Sequence, residues 1–382
     1  MQHVVAWIPD APLAGEMLCG LSLPQHVLVA ARSVCADAFF SPGITDVQAA
    51  LTALPQDADA VLICPADVPL VCEATFRAML AALKEADAVA VTCGQPAAII
   101  CCRADALRKT LAQPDAHALQ PWDAEQAAAR LAARGVRALN PATPDEAIRV
   151  TDFAALSLAA QHMRQRINAA HMAAGVRLVD PAATYIDAQV RIAPGVTIYP
   201  GCMLEGNTRI AAGCTLLPNC RLRDTQVAEG VHMESTVALD AHIGPQTTVG
   251  PFAYLRPGSR IGAHCRVGDF VEIKNSVIGD GTKVSHLTYV GDSDLGRDIN
   301  LGCGVVFVNY DGKAKHHSAV ADGAFIGCNV NLISPVRVGK GAYVAAGSTV
   351  TEDVPDGALC VARQRQSVKE GWVAARKAQG KL

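Results

Sequence analysis

Aromatic side chains are scarce in this chain: Phe, Trp and Tyr make up 4% of its 382 residues, against 51% hydrophobic residues overall. A core built with so few rings must come from aliphatic side chains, and Val and Ile in particular suit β-structure. An excess of one charge is missing too. The formal net charge is −3 and no polybasic run stands out, so neither nucleic acid nor a membrane surface is an expected partner. No apolar run reaches the roughly 18 residues of a membrane span. Pro9, Asp10 and Pro12 interrupt the N-terminus where a signal peptide would need a smooth apolar stretch. These absences predict a cytoplasmic protein. Paired cysteine motifs are lacking as well. The 14 cysteines are scattered, with no CxxC and one adjacent pair, Cys101–Cys102, a pattern of small buried hydrophobes rather than of disulfides or a metal cluster.

What is present falls into parts. Residues 1–150 read as an α/β domain. Apolar runs at Val4–Ile8, Val27–Ala30, Val61–Cys64 and Ala98–Cys102 predict buried parallel strands, with a helical stretch at Thr75–Glu85. The alternation predicts a doubly wound sheet. Residues 151–175 predict a linker helix, capped by Thr151 or Asp152 and ended by Gly175. From 176 to 356 the period changes. Ile186, Ile192, Ile198, Leu204, Ile210, Leu216 and Leu222 are each six apart; Val237, Ile243, Val249, Leu255, Ile261, Val267 and Ile273 repeat the step, and so do Val320, Ile326, Leu332, Val338, Val344 and Val350. Six is the period of the hexapeptide β-helix, in which three short strands close a coil and each aliphatic residue points inward. Residues 357–382 form a tail.

A polar segment, Asn309-Tyr310-Asp311-Gly312-Lys313-Ala314-Lys315-His316-His317, interrupts the repeat, and insertions on repeat arrays tend to be binding loops. His286 lies shortly before it, in His286-Leu287-Thr288-Tyr289-Val290-Gly291-Asp292. Arg256, Lys274 and Lys315 are cations suited to charge-assisted bonds with a phosphate. Glu272 reads either as a support for Lys274 or as a residue with a direct role. His316 and His317 read as loop surface, since adjacent strand residues point apart. His232, His242, His264 and His286 form no convincing metal set.

These motifs, with Leu255-Arg256-Pro257-Gly258, Val267-Gly268-Asp269-Phe270-Val271-Glu272-Ile273-Lys274 and Lys369-Glu370-Gly371-Trp372, resemble one bacterial family. It is the bifunctional N-acetylglucosamine-1-phosphate uridylyltransferase/glucosamine-1-phosphate N-acetyltransferase family, and the resemblance runs from about 176 to 373. It implies a left-handed β-helix, a homotrimer with sites between neighbouring helices, acetyl-CoA as co-substrate and a place in nucleotide-sugar and peptidoglycan precursor synthesis. By the resemblance His286 is the general base and Asn309 a second catalytic residue. Arg256, Lys274, Tyr289, Asn300 and Lys315 hold the sugar phosphate. Asn309 and Tyr310 also contact the acetyl donor, together with Cys303, Cys328, Ala346 and Arg363. Cys303 stands where the family commonly has Ala, and Cys328 where it commonly has Ser. The residue types suit the chemistry: an amine attacks a thioester only when unprotonated, and imidazole is the side chain that exchanges protons near neutral pH.

The front part departs from that family. A Gly-rich phosphate loop with Arg and Lys belongs after the first strand, where backbone N–H groups and cations would cradle a triphosphate. Here the place reads Ala6-Trp7-Ile8-Pro9-Asp10-Ala11-Pro12-Leu13-Ala14-Gly15-Glu16-Met17, with no GxG and no cation. Leu23-Pro24-Gln25 stands for the family's Leu-Pro-Lys. Pro65-Ala66-Asp67-Val68-Pro69-Leu70 keeps the turn whose Asp holds Mg²⁺ in the family, so Asp67 is the one metal candidate; the second ligand, an Asn, aligns with Thr151. The expectation is therefore N-acetylation of glucosamine-1-phosphate or a close amino-sugar phosphate, with a degenerate nucleotidyltransferase-like front domain. The alternatives are a bifunctional enzyme that also uses UTP and Mg²⁺, and a non-catalytic trimeric scaffold.

Overall fold

A computed structural model describes residues 3–42, 55–92, 96–111 and 136–382. The chain divides into two compact units, one of Met1–Ala173 with Tyr185–Gln189, the other of Ala174–Thr184 with Val190–Leu382.

The first unit is built on six strands: β1 (Val4–Pro9), β4 (Asp37–Ser41), β5 (Ala60–Ile63), β6 (Ala88–Thr92), β7 (Pro96–Arg103) and β8 (Val136–Leu139), ordered β4-β1-β5-β7-β6-β8. Both faces of β1 are covered. Ala6 and Ile8 pack with Val27, Leu62, Phe76 and Met79 on one side. Val5 and Trp7 pack with Val61, Ile63, Ile100 and Leu107 on the other. Each such aliphatic or aromatic side chain contributes about 1.5–3 kcal/mol on full burial. The result is an α/β fold of the nucleotidyltransferase type. Two expectations need correcting. Val27–Ala30 is no strand but the middle of helix α1 (Leu23–Arg32), because Pro24 sits in the first turn and Ser22 with Gln25 forms a capping box. Ala98–Cys102 lies in β7 but runs antiparallel to both β5 and β6. A short apolar run buried on both faces does not encode strand direction. The 151–175 segment contains α2 (Phe153–Ala173), with the Asp152 carboxylate accepting the Ala155 N–H at 2.7 Å and Gly175 at φ +91° beyond its end.

The second unit is a left-handed parallel β-helix with three sheets. Each strand pairs in register with the strand one coil away: Arg260 with Val277, Glu272 with Tyr289, and Lys283 with Asn300. The inward positions, such as Ile261, Ile278, Leu295 and Val320, are all buried. Sharp corners leave carbonyls that need partners, and buried hydroxyls supply them. Thr247 Oγ1 donates to the Gly262 carbonyl at 2.8 Å and Thr282 Oγ1 to that of Gly296 at 2.9 Å. Cys214 and Cys265 take the same role with Sγ donating to the carbonyls of Ala228 and Gly279. This places part of the cysteine content at coil corners, and all cysteines among the described residues are free. One repeat position shifts. In Val237–Leu239 it is Ala238 that points inward and is buried, while Val237 pairs outward between Arg221 and Tyr254. The inward steps Leu222, Val227, Met233, Ala238 and Ile243 are five or six residues apart there, so a strict count of six picks the wrong neighbour. The last strand, Leu359–Cys360, pairs with Tyr343–Val344, so the solenoid's pairing runs past residue 356.

Candidate active site

Two columns and a corner carry the candidate residues. The corner follows one sheet, where Asp269 and His286 end neighbouring strands as register partners. Asp269 Oδ1 lies 2.6 Å from His286 Nδ1. An ionised carboxylate only accepts, so Nδ1–H is the donor and Nε2 is left as the acceptor facing outward. The imidazole is 52% exposed, open to a substrate. Its hydrogen bond holds the Asp269 carboxyl below the usual carboxylate range.

Three residues on, the next sheet presents its outer face. Arg256 Nη1 donates to Glu272 Oε1 at 2.7 Å, both about 38–39% exposed. Lys274 lies one coil beyond Arg256 and its Nζ is 3.8 Å from Asp292 Oδ2. The sequence pairing is thus corrected: Glu272 serves Arg256, and Lys274 faces Asp292, because the acid reaches across coils rather than along its own strand. Asp292 is the hub. It accepts the side-chain amides of Asn275 at 2.7 Å and of buried Asn309 at 2.5 Å. Asn309 Nδ2 also reaches Tyr289 Oη at 3.4 Å. Gly291, the register partner of Lys274, makes room for this: a Cβ there would run into Tyr289 Oη and Asn309 Nδ2. Both ion pairs are partly exposed and worth about 0–1 kcal/mol, so their cations can exchange partners for a phosphate at little expense.

The corner column continues past His286. Backbone bonds from Gly304 N to the His286 carbonyl, from Asn329 N to that of Cys303 and from Gly347 N to that of Cys328 put His286, Cys303, Cys328 and Ala346 on successive coils. Arg363 brings its Cδ to within 3.6 Å of where a Cβ on Gly347 would stand. Of the expected donor residues, Cys303, Cys328 and Ala346 therefore share one edge with the base.

Other residues stay apart within one chain. Asn300 sits on the outer face of the sheet that ends in His286, between Lys283 and Phe325. The inserted loop is a self-contained hairpin. Tyr310 and Lys315 bridge, and Lys315 Nζ lies 4.3 Å from the Tyr310 ring centroid rather than beside Lys274. Asp311 accepts the Lys313 and Ala314 N–H groups at 2.7 Å each and His316 Nε2 lies 2.7 Å away, which holds its carboxyl far below the ordinary range. His317 turns the other way, to Asp294 at 3.1 Å. Sequence reasoning missed Asp269, Asp292 and Gly291. All three stand inside motifs already noticed, but their roles depend on the coil above or below.

In the first unit Asp67 is 1% exposed and its Oδ2 accepts Arg149 Nε at 3.0 Å and Nη2 at 2.6 Å. Its Oδ1 is buried without a hydrogen-bond partner. Among the described residues no group of three or more His, Cys, Asp or Glu could hold a metal ion. The donor set around Asp67 fits an internal ion pair with Arg149, not Mg²⁺. No helix among them is long and apolar enough to cross a membrane.

Two family descriptions match parts of the chain: "MobA-like NTP transferase domain" over residues 30–130 and "Bacterial transferase hexapeptide (six repeats)" over 240–275. The chain is 52% identical over 229 residues to the bifunctional protein GlmU of Clostridium botulinum (strain Kyoto / Type A2), covering 60% of this chain and 50% of that one. The GlmU of Geobacillus sp. (strain WCH70) is 53% identical with the same coverage, and that of Clostridioides difficile (strain 630) is 49% identical over 238 residues, 62% of this chain and 52% of the other. The chain spans about half the length of the curated relatives it matches. An NTP-transferase-like fold in front, a hexapeptide β-helix behind it and this shared stretch make the chain a relative of the bifunctional protein GlmU.

Proposed function

We propose that this protein transfers the acetyl group of acetyl-CoA to the amine of glucosamine-1-phosphate or a close amino-sugar phosphate, feeding nucleotide-sugar and cell-wall precursor synthesis. The observation that carries the reading is the His286–Asp269 pair at the corner, three residues from a face holding Lys274, Arg256 and the Tyr289–Asn309–Asp292 cluster. Lys274 and Arg256 take the phosphate by charge-assisted bonds. His286 Nε2 removes the proton from the attacking amine, and backbone N–H groups receive the oxyanion. Cys303, Cys328, Ala346 and Arg363 line the donor's edge. Incubation with glucosamine-1-phosphate and acetyl-CoA should release free thiol, and silence in that assay would refute the reading.

The second reading, uridylyl transfer as well, is favoured by the NTP transferase match over 30–130. Against it stand Pro9 and Pro12, which have no N–H for a triphosphate, and Asp67 held by Arg149. With UTP, Mg²⁺ and N-acetylglucosamine-1-phosphate we expect no pyrophosphate.

The assembly we propose is a homotrimer. Phe252 and Phe270 stack at 5.3 Å, both 58% exposed, beside Leu287 at 56%, and this apolar ridge adjoins the His286 corner. Asn300 and Lys315, which do not reach Lys274 within one chain, are then supplied by a neighbour. Light scattering showing an active monomer would exclude this.

A further inference from the structure

The functional reading takes the His286–Asp269 pair as its landmark but gives Asp269 no role of its own. We propose that Asp269 is the positioning residue for His286, a carboxylate that fixes the imidazole's tautomer and steadies its cation as the amine's proton arrives. The inference rests on the acetyl-transfer reading and adds a residue to it. The geometry is specific. Asp269 and His286 are the terminal residues of paired strands, held by their register, and the Leu287 N–H donates to the Asp269 carbonyl at 3.0 Å. The side chains therefore meet at 2.6 Å without any long flexible stem, shorter than the usual charge-assisted N–H···O bond of about 2.7–2.9 Å. With Nδ1–H committed to the carboxylate, Nε2 must present its lone pair, as a base requires.

The surroundings do not supply this role otherwise. On the same two strands Arg266 and Lys283 are exposed cations in register with one another. The following strand brings Asn300, which is uncharged, and Cys303 stands next in the corner column. The face beyond the corner carries Glu272, already bonded to Arg256. Asp269 is thus the acid directly in contact with the ring. A merely structural surface pair of this exposure could be lost without consequence for the reaction.

Two substitutions separate the roles. Asp269→Asn keeps an oxygen to accept Nδ1–H but removes the charge; Asp269→Ala removes both. We expect kcat to fall about tenfold in the first and about a hundredfold in the second, below the full range of a general base, with KM for both substrates within about twofold of the parent. Loss of that charge should alter the kcat/KM–pH profile in Asp269→Asn, which a merely structural contact would leave as it is. A readout free of activity is the His286 Nδ1–H proton in NMR, assigned by its loss in His286→Gln. It should stand far downfield in the parent and vanish in Asp269→Ala. An unchanged kcat and pH profile in both variants overturns the proposal, as does a parent protein with no downfield signal. If the signal is present and Asp269-dependent while the parent transfers no acetyl group, the pairing holds and the reaction assigned to the site falls. Should Asp269→Ala fail to fold, Asp269→Asn decides through kcat and pH.

Discussion

The candidate site residues of the two units are held in opposite ways. On the β-helix, His286, Arg256 and Lys274 are between a quarter and a half exposed, each tied to a single acid across a coil. In the front unit Asp67 is 1% exposed and bonded twice by Arg149. A half-exposed, loosely paired charge can trade its partner for a substrate at little penalty, whereas a buried one is committed to the fold. Resemblance to a motif therefore does not carry its chemistry: Asp67 and Lys274 both stand in segments that resemble family motifs, yet only Lys274 is free to change partners.

The sharpest way to break this comparison is His286→Ala. It should lower acetyl-transfer turnover by about 10²–10⁴-fold and move the thermal midpoint little, since an exposed ring contributes little packing. Loss of folding instead would make the residue structural. Next in size, Lys274→Ala and Arg256→Ala should raise KM for the sugar phosphate about 10–100-fold, the value of one bond to a charged group. KM for acetyl-CoA should hold, which steady-state kinetics with each substrate varied will test. On the other side, Arg149→Ala leaves the Asp67 carboxylate buried and unpaired. It should destabilise the front unit by about 1–2 kcal/mol, visible as an earlier calorimetric transition, while acetyl transfer continues. A loss of transfer without unfolding would give the front unit a part in the reaction. The smallest effect is expected in the inserted loop. Asp311 has a depressed carboxyl, so its contribution to loop order is complete above the ordinary carboxylate range and is lost as pH falls through the lower folded value. Between pH 5 and 8 the Asp311 contribution should therefore be constant, and Asp311→Asn should speed amide exchange at Lys313 and Ala314 by about a fewfold.

Much of the helix could be read before any coordinates, because its inward positions repeat and the period is unlike any other fold's. The failure at Val237 shows the limit: where a coil shortens, neighbouring Val and Ala both satisfy an apolar pattern, and only pairing with Arg221 and Tyr254 tells which faces in. The site was legible as residue types and motifs but not as partnerships. Asp269 and His286 are 17 residues apart, as are Asp292 and Asn309, and that separation carries meaning only once the coil length is known. In the front unit the strand expected at Val27–Ala30 failed because a capping box and a first-turn Pro outweigh four apolar residues, and β7 because direction is a tertiary property.

The inserted hairpin rejoins the coil without disturbing it: Ser293, Asp294 and Leu295 pair with Ser318, Ala319 and Val320 on the far side in unbroken register, and Val306–Val308 pairs normally with Asn331–Ile333. Each coil is stabilised by its immediate neighbours alone. The turn between Asn309 and Ser318 is thus an exchangeable cassette. Its length and polarity can change without renegotiating the core, while the edge bearing Asp269 and His286 stays as it is.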